Sequence, residues 1–317
     1  MPERALAPEP GPAPARDRER GGPSLEAKRA RLEETLRALG GVLVAFSGGV
    51  DSAYLLAAAV DVLGDRCVGA TAVSPSLARD ELAAARALAA AIGARHVVVE
   101  TDEFDDPRYR RNDLRRCYFC KAALFTRLEA LAAELGLPAV AYGANADDGG
   151  DYRPGMRAAA EFAVRAPLLE AGLAKAEIRA LARARGLEAW DKPASPCLAS
   201  RLPHGTPVTL GALRQIEEGE RVLHRLGFPD VRVRHHGPLA RIEVPLPLVP
   251  RLLDAAPQVT AALVALGFRE VEVDPRGLRS GRLAAEALRA QDGAVPADAA
   301  GAGPRPGPGA SRGTGRP

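Results

Sequence analysis

Three sets of residues in this chain have the types and spacing to do chemistry. The first is Ser47-Gly48-Gly49-Val50-Asp51-Ser52. Two glycines let backbone N–H groups approach an anion with no Cβ in the way, and the serine hydroxyls add donors. A Walker A loop has a lysine after its second glycine; here Asp51 stands in the corresponding region, where a carboxylate suits Mg²⁺. The expected occupant is a pyrophosphate group, and the plainer alternative is a Gly-Gly turn capped by Ser52. The second set is Cys117 and Cys120, a CxxC pair, together with the distant Cys197. Two intervening residues let both sulfurs converge on one centre, and a third thiolate completes a three-cysteine site. On a cubane cluster, three protein ligands would leave one iron open to a sulfide or a substrate atom. A structural Zn²⁺ with a different fourth ligand, a redox disulfide and unrelated structural thiols are the competing readings. Arg115, Arg116 and Lys121 flank the pair, so thiolates or an anionic cluster would meet favourable charge. Cys67 opens an apolar run and reads as a small core residue. The third set is Arg232 and Arg234, two residues apart in Val231-Arg232-Val233-Arg234. Alternation on a strand buries the valines and presents both arginines on the other face, either as a solvated surface or as a bidentate grip on phosphate. The five histidines, His96, His204, His224, His235 and His236, show no helical metal-ligand spacing. They read as structural or surface residues, His204 alone lying close to a chemically promising segment.

The elements that must position these residues alternate between apolar runs and amphipathic stretches. Strands are expected at Val42–Phe46, Cys67–Val73, His96–Thr101 and Ala139–Gly143. Helices are expected at Asp51–Leu63, Ala78–Ile92, Lys121–Leu135 and Ala174–Arg185, with Gly64, Gly93, Gly136 and Gly186 as stop signals. This is the pattern of an α/β fold with a parallel sheet, helices on both faces and a ligand at the carboxyl ends of the strands. Ser47–Ser52 lies at one such end. So do Ser74-Pro75-Ser76 and Ala144-Asn145-Ala146-Asp147-Asp148, which would supply adenosine contacts and a second magnesium carboxylate. After Thr206 the pattern changes to a smaller α+β region. A helix at Leu210–Leu226 is followed by a hairpin of Asp230–Arg234 and Leu239–Val244, a helical stretch Leu246–Leu266 and a final strand Glu270–Asp274. Arg241 and Glu243 read as a cross-strand pair. The expected organisation is a disordered tail at 1–24, a nucleotide domain at 25–205, a substrate or assembly domain at 206–288 and a Gly/Pro-rich disordered tail at 289–317. Composition narrows the function classes. With 43 Lys plus Arg against 40 Asp plus Glu, the formal charge of +3 is too small for bulk nucleic-acid binding, and the 4% aromatic content leaves few stacking platforms for RNA. No stretch reads as a membrane span or secretion signal, so a cytoplasmic, reducing setting is expected, with cysteines used for metal or catalysis more than for disulfides.

The phosphate loop resembles that of the PP-loop ATP pyrophosphatases. Together with Asp151-Tyr152-Arg153-Pro154-Gly155 and Pro196-Cys197-Leu198-Ala199-Ser200-Arg201-Leu202-Pro203-His204-Gly205-Thr206, it makes the chain similar to the LarE family of ATP-dependent sulfur transferases. Those enzymes mature the nickel-pincer nucleotide of lactate racemase. The resemblance runs from about Leu25 to Leu283. It implies ATP and Mg²⁺ bound by Ser47, Gly48, Gly49, Asp51 and Ser52, and a pyridinium-3,5-biscarboxylic acid mononucleotide whose carboxylates are adenylated and then thiolated. It matches Arg232 and Arg234 to a substrate-phosphate contact and sets Ser200 and Arg201 near the reacting centre. One branch of the family sacrifices a cysteine's own sulfur, at a place nearer Pro196 than Cys197. Another has three cysteines, as here, which implies a 4Fe–4S cluster on Cys117, Cys120 and Cys197, an external sulfide donor and many turnovers. A homo-oligomer is expected as well. A tRNA-thiolating relative would need an RNA surface, an amidating relative such as NAD synthetase has no use for three cysteines, and a non-enzymatic metal or sulfur scaffold would bind nucleotide without releasing AMP or pyrophosphate.

Overall fold

β1 (Val42–Ala45) is the centre of the molecule, because its residues are apolar on both sides and a parallel strand can be covered on both faces. It is preceded by α1 (Leu25–Leu39), which Ser24 caps by accepting a hydrogen bond from the Ala27 amide at 3.2 Å. The computed structural model describes residues 22–150 and 154–279, with 283 and 287. The tails expected at 1–24 and 289–317 therefore lie outside the described residues apart from residues 22–24, and so do Asp151, Tyr152 and Arg153.

From β1 the chain runs into α2 (Val50–Leu63), β2 (Cys67–Val73), α3 (Arg79–Ile92), β3 (Arg95–Glu100), the short α4 (Pro107–Arg110), α5 (Arg116–Glu134) and β4 (Val140–Tyr142). The strand order is β3-β2-β1-β4, with Val42 opposite Cys67, Leu43 opposite Val140 and every pairing parallel. Alternation along β1 divides the interior in two. Val42 and Val44 pack with Leu32, Leu55, Leu56 and Ile178. Leu43 packs on the opposite face with Val68, Phe125 and Leu128. The helices α6 (Pro154–Glu161), α7 (Pro167–Glu170) and α8 (Lys175–Ala184) complete this layer.

Beyond α9 (Leu210–Arg225), a second sheet is built from β5 (Arg232–His236), β6 (Leu239–Glu243) and β7 (Glu270–Val273). β5 and β6 form an antiparallel hairpin turning through Gly237 at φ +69°, and β7 joins β6 in parallel. Val231, Val233, Ile242, Leu252, Leu263 and Phe268 fill the core beneath it. Both sheets lie in one compact unit that ends at Leu278. Among the described residues, no helix is long and apolar enough to cross a membrane.

Two local expectations are corrected. The helix expected at Lys121–Leu135 begins at Arg116, so Cys117-Tyr118-Phe119-Cys120 is the start of α5 and not a loop. No glycine or proline interrupts this stretch, and burial of Phe119 against Tyr109 and Leu198 holds its first turn down. The stretch expected as one helix over Leu246–Leu266 is a 3₁₀ turn at Leu246–Leu248 followed by α10 (Val249–Asp254) and α11 (Ala256–Ala265). Pro250 and Pro257 sit in the first turn of α10 and α11, where a missing N–H costs nothing, and Pro257 could not continue the helix before it.

Candidate active site

The phosphate loop has the conformation its residues predict. Gly48 has φ +72°, and a Cβ there would meet the Ala85 backbone at 3.3 Å. Gly49 caps α2 without a side chain, and Ala53 N bonds Gly49 O at 2.9 Å as the helix's first turn closes. The amides of Val50, Asp51 and Ser52 precede that bond and stand at the positive end of the helix. Ser52 Oγ donates to Gly49 O at 3.0 Å and accepts from Ser47 N at 3.2 Å, while the Ser47 and Ser52 hydroxyls meet at 3.1 Å. At the end of β4, a Cβ on Gly143 would lie 2.8 Å from Ser52 N. Only glycine lets that strand end pass the helix start so closely.

Asp51 is paired in a way its neighbours in sequence do not suggest. Lys175 Nζ donates to Asp51 Oδ2 at 2.6 Å, and Asp51 Oδ1 is buried with no hydrogen-bond partner among the described residues. The Lys175 amide in turn donates to Asp147 Oδ2 at 2.8 Å, and Asp148 accepts from the Asn145 amide at 3.0 Å, so the turn after β4 reaches the same place. One signal could have singled Lys175 out. A cation at the first position of a helix opposes the macrodipole and needs a reason.

The three cysteines are free thiols, Cys117 exposed and Cys120 and Cys197 partly buried. Cys117 and Cys120 share one turn and one side of α5, a consequence of their i,i+3 spacing. Cys120 and Cys197 both pack against Tyr109, Phe119, Leu198 and Ile216. Burial first, then the charges of Cys197 and the buried Glu103, push the Cys120 thiol up to about 12. Cys197 is held by its neighbour Leu198, whose amide donates to Ser76 O at 2.9 Å. Ser76 itself hydrogen-bonds the Tyr109 hydroxyl. The Ser74-Pro75-Ser76 loop, expected against adenosine, thus supports the cysteine segment. Arg116 ties the two halves together by donating to Asn112 Oδ1 at 2.5 Å and Ala199 O at 2.8 Å. Asn112, buried at φ +57°, donates to Pro203 O and Thr206 O at 2.8 Å each. Among the described residues, no three His, Cys, Asp or Glu side chains converge on a single metal ion. Cys67 is buried in the main core as expected, its thiol pushed up to about 12 by burial.

The remaining predicted site residues gather on the segment that carries Cys197. Arg201 is buried, forms a two-point ion pair with Glu220 at 2.8 and 2.9 Å, and donates to Ser200 Oγ at 3.0 Å. Arg234 pairs with Glu243 Oε2 at 2.8 Å and donates to Ser200 O at 3.0 Å. Arg232 donates to Ala194 O at 2.8 Å; burial, and then the charge of Arg201, pull its proton affinity down. The two-faced strand is therefore corrected: Arg234 is covered like Val233, because the Ser200 segment lies over the outer side of β5. Arg241 and Glu243 are not a pair either. Both belong to β6, and Arg241 bonds Glu272 on β7 at 3.2 Å while Glu243 holds Arg234. Of the carboxylates that hold these arginines, Glu220 is a residue that sequence reasoning did not single out, and Glu243 is one that it gave a different partner. His204 keeps Nδ1 3.3 Å from Asn112 O, and burial pulls its pKa down.

No protein-family model matches the chain. It is 39% identical over 269 residues to pyridinium-3,5-bisthiocarboxylic acid mononucleotide synthase of Lactiplantibacillus plantarum, an alignment covering 84% of this chain and 98% of that one. The chain belongs to the LarE family. It is also 42% identical over 261 residues to an uncharacterized protein of Synechocystis sp., covering 82% of this chain and 97% of the other. An uncharacterized protein of Methanocaldococcus jannaschii is 26% identical over 239 residues, or 75% of this chain and 91% of its own. The parallel sheet, with its phosphate loop after the first strand, is the PP-loop architecture expected of a LarE family member.

Proposed function

We propose that this LarE family member is an ATP-dependent sulfurtransferase. It adenylates the carboxylates of pyridinium-3,5-biscarboxylic acid mononucleotide, releasing pyrophosphate, and then exchanges AMP for sulfur to give the bisthiocarboxylic acid mononucleotide. The observation that carries this reading is the 39% identity to a synthase of that product across nearly all of its length.

The geometry suits each half of the reaction. A carboxylate nucleophile is already ionised at neutral pH, so adenylation needs no general base. What it needs is relief of the repulsion between two polyanions. The amides at the start of α2, the Ser47 and Ser52 hydroxyls and the Lys175 ammonium are aimed at that task. Asp51 fits a Mg²⁺ ligand, because its Oδ1 is buried and lacks a partner within the protein. On the sulfur side, two thiols on one helical turn, a third packed on the same cluster and a buried guanidinium beside them suit an anionic 4Fe–4S cluster held by Cys117, Cys120 and Cys197. When bound, that cluster supplies an iron without a protein ligand, on which sulfide from an external donor is carried. Ser200 and Arg201 lie on the segment that carries Cys197, Arg232 and Arg234 bond that segment at Ala194 and Ser200, and the four are assigned to the substrate nucleotide. In this reading residues 25–205 act on ATP, 206–288 complete the substrate site and support a homo-oligomer, and the enzyme works in the cytoplasm.

Anaerobic iron and sulfide analysis, followed by turnover counting with ATP, Mg²⁺, the biscarboxylate nucleotide and sulfide, tests the proposal. About four irons per chain and more than one sulfur transferred are expected. No iron, at most one sulfur transferred and a cysteine converted to dehydroalanine would replace the cluster with a sacrificed cysteine.

A further inference from the structure

Three helices each turn a stripe of side chains toward one space. Arg29, Glu33 and Arg37 stand four residues apart on α1, and Tyr54, Ala58 and Asp61 share a side of α2. Leu181, Ala184 and Arg185 do the same where α8 ends. Between them lies a cavity of about 510 Å³, within the range of about 300–1,000 Å³ usual for small-molecule sites. Close-packed proteins leave few voids of this size. Leu32, Val62 and Leu181 give the cavity an apolar wall, and the side chains of Ala58 and Ala184 are too short to fill it.

Two groups at this cavity have hydrogen-bonding capacity that the protein leaves unused. Tyr54 is 5% exposed, and its hydroxyl has no hydrogen bond among the described residues. Arg29, Arg185, Glu33 and Asp61, all cavity residues, bear on that hydroxyl through their charges, which places it at the cavity. Burial, ahead of those charges, pushes its pKa above the ordinary tyrosine value, so at neutral pH it is an O–H donor. A hydroxyl taken from water without a partner is costly, and a ligand oxygen would supply the partner. The second group is a guanidinium. Arg37 donates to Glu33 Oε2 at 3.0 Å and Arg185 to Asp61 Oδ1 at 2.7 Å. Arg29 comes no closer to Glu33 than 3.4 Å and its side chain makes no hydrogen bond among the described residues. Three guanidiniums against two carboxylates leave one positive charge at the cavity. A multiply charged phosphate would be repelled by Glu33 and Asp61, whereas one carboxylate matches the one surplus cation, and the apolar wall suits a hydrocarbon body.

We propose that the cavity between α1, α2 and α8 binds an organic monocarboxylate, its carboxylate held by Arg29 and the Tyr54 hydroxyl and its apolar body resting on Leu32, Val62 and Leu181. No residue of the phosphate loop and none of the three cysteines lines this cavity, so the site is a second one and stands independently of the sulfurtransferase reading. The ligand is bound there without any bond being made or broken.

The test is calorimetric titration of 2-naphthoate, and of its neutral isostere 2-naphthamide, into the full chain at neutral pH without ATP. The parent should bind 2-naphthoate and hold 2-naphthamide at least about tenfold more weakly, since the charge is what Arg29 recognises. Arg29→Gln should weaken naphthoate binding at least about tenfold, and Tyr54→Phe about three- to tenfold. Arg31→Gln removes the same charge from an exposed position of α1 outside the cavity and should bind as the parent does. Tyr54→Phe should also keep the parent's unfolding midpoint, because the hydroxyl it removes has no partner in the protein. Absence of naphthoate binding by the parent would overturn the site, as would parent-like binding by both Arg29→Gln and Tyr54→Phe, which would place the naphthoate elsewhere. Equal losses in Arg29→Gln and Arg31→Gln would reduce the effect to net charge, and equal affinity for 2-naphthamide would reduce it to apolar contact; either result overturns the carboxylate site. Arg29 is exposed, so Arg29→Gln decides the matter if Tyr54→Phe does not fold.

Discussion

Asp51 pairs with one cation and is proposed to take a second. Lys175 occupies Oδ2 at 2.6 Å, and Oδ1, buried without a hydrogen-bond partner among the described residues, is the oxygen proposed for Mg²⁺. Asp51→Asn removes the charge that both depend on, and pyrophosphate release should fall by about 10²-fold or more in a stopped assay. Cys197→Ala acts at the other end of the reaction: ATP–pyrophosphate exchange should continue while thiolated product disappears. Thiolated product at the parent's rate would remove Cys197 from the mechanism. Glu220 is a structural counterpart to these. Its carboxylate holds Arg201 at two points and accepts from the Val233 amide at 3.1 Å, all away from water. Glu220→Gln leaves the Arg201 charge buried and unpaired, which should cost about 3–5 kcal/mol in urea unfolding.

At the scale of elements, the hairpin of β5 and β6 should be sensitive to acid. His235 Nε2 meets Gln215 Oε1 at 2.9 Å and Nδ1 accepts from the Gly237 amide at 3.3 Å, an arrangement that requires neutral imidazole with its proton on Nε2. Burial pulls its pKa below the ordinary histidine value. The unfolded chain therefore takes up this proton at a higher pH than the folded one does. Stability is fully present above about pH 6.5 and is lost as the pH falls through the lowered folded value. Thermal melts between pH 8 and 5 should show that loss, and His235→Gln should reduce its steepness. His96 and His204, also pulled down by burial, account for the remainder.

The whole molecule is held by contacts between distant parts of the chain. The backbone amide of Arg79, at the start of α3, donates to Glu217 of α9 at 2.7 Å; Lys192 bonds Glu81 at 2.7 Å; and Arg116 reaches across to Ala199. The phosphate loop and the three cysteines therefore share one scaffold. ATP with Mg²⁺ at a hundred times its dissociation constant should stabilise the whole unit by about 2.7 kcal/mol, seen as a raised melting temperature. Asp51→Asn should lose most of that shift. A full shift in Asp51→Asn would place the nucleotide elsewhere.

The sequence by itself determined what neighbouring residues can decide. The βα alternation, the loop at Ser47–Ser52 and the core role of Cys67 were legible because strand pattern, glycine geometry and helix starts depend on a few adjacent positions. The position of Cys117 and Cys120 inside α5 was nearly legible, lost only because a CxxC pair suggests a loop more strongly than Phe119 suggests a buried helical face. Tertiary structure alone decided which charges are spoken for. Lys175 finds Asp51 across 124 residues, Arg201 and Arg234 are taken by Glu220 and Glu243, and Arg116 is left facing sulfur. A buried charge takes its meaning from the partner that packing brings to it, and nothing in the local sequence of an arginine says whether that partner will be a carboxylate, a thiol or a ligand.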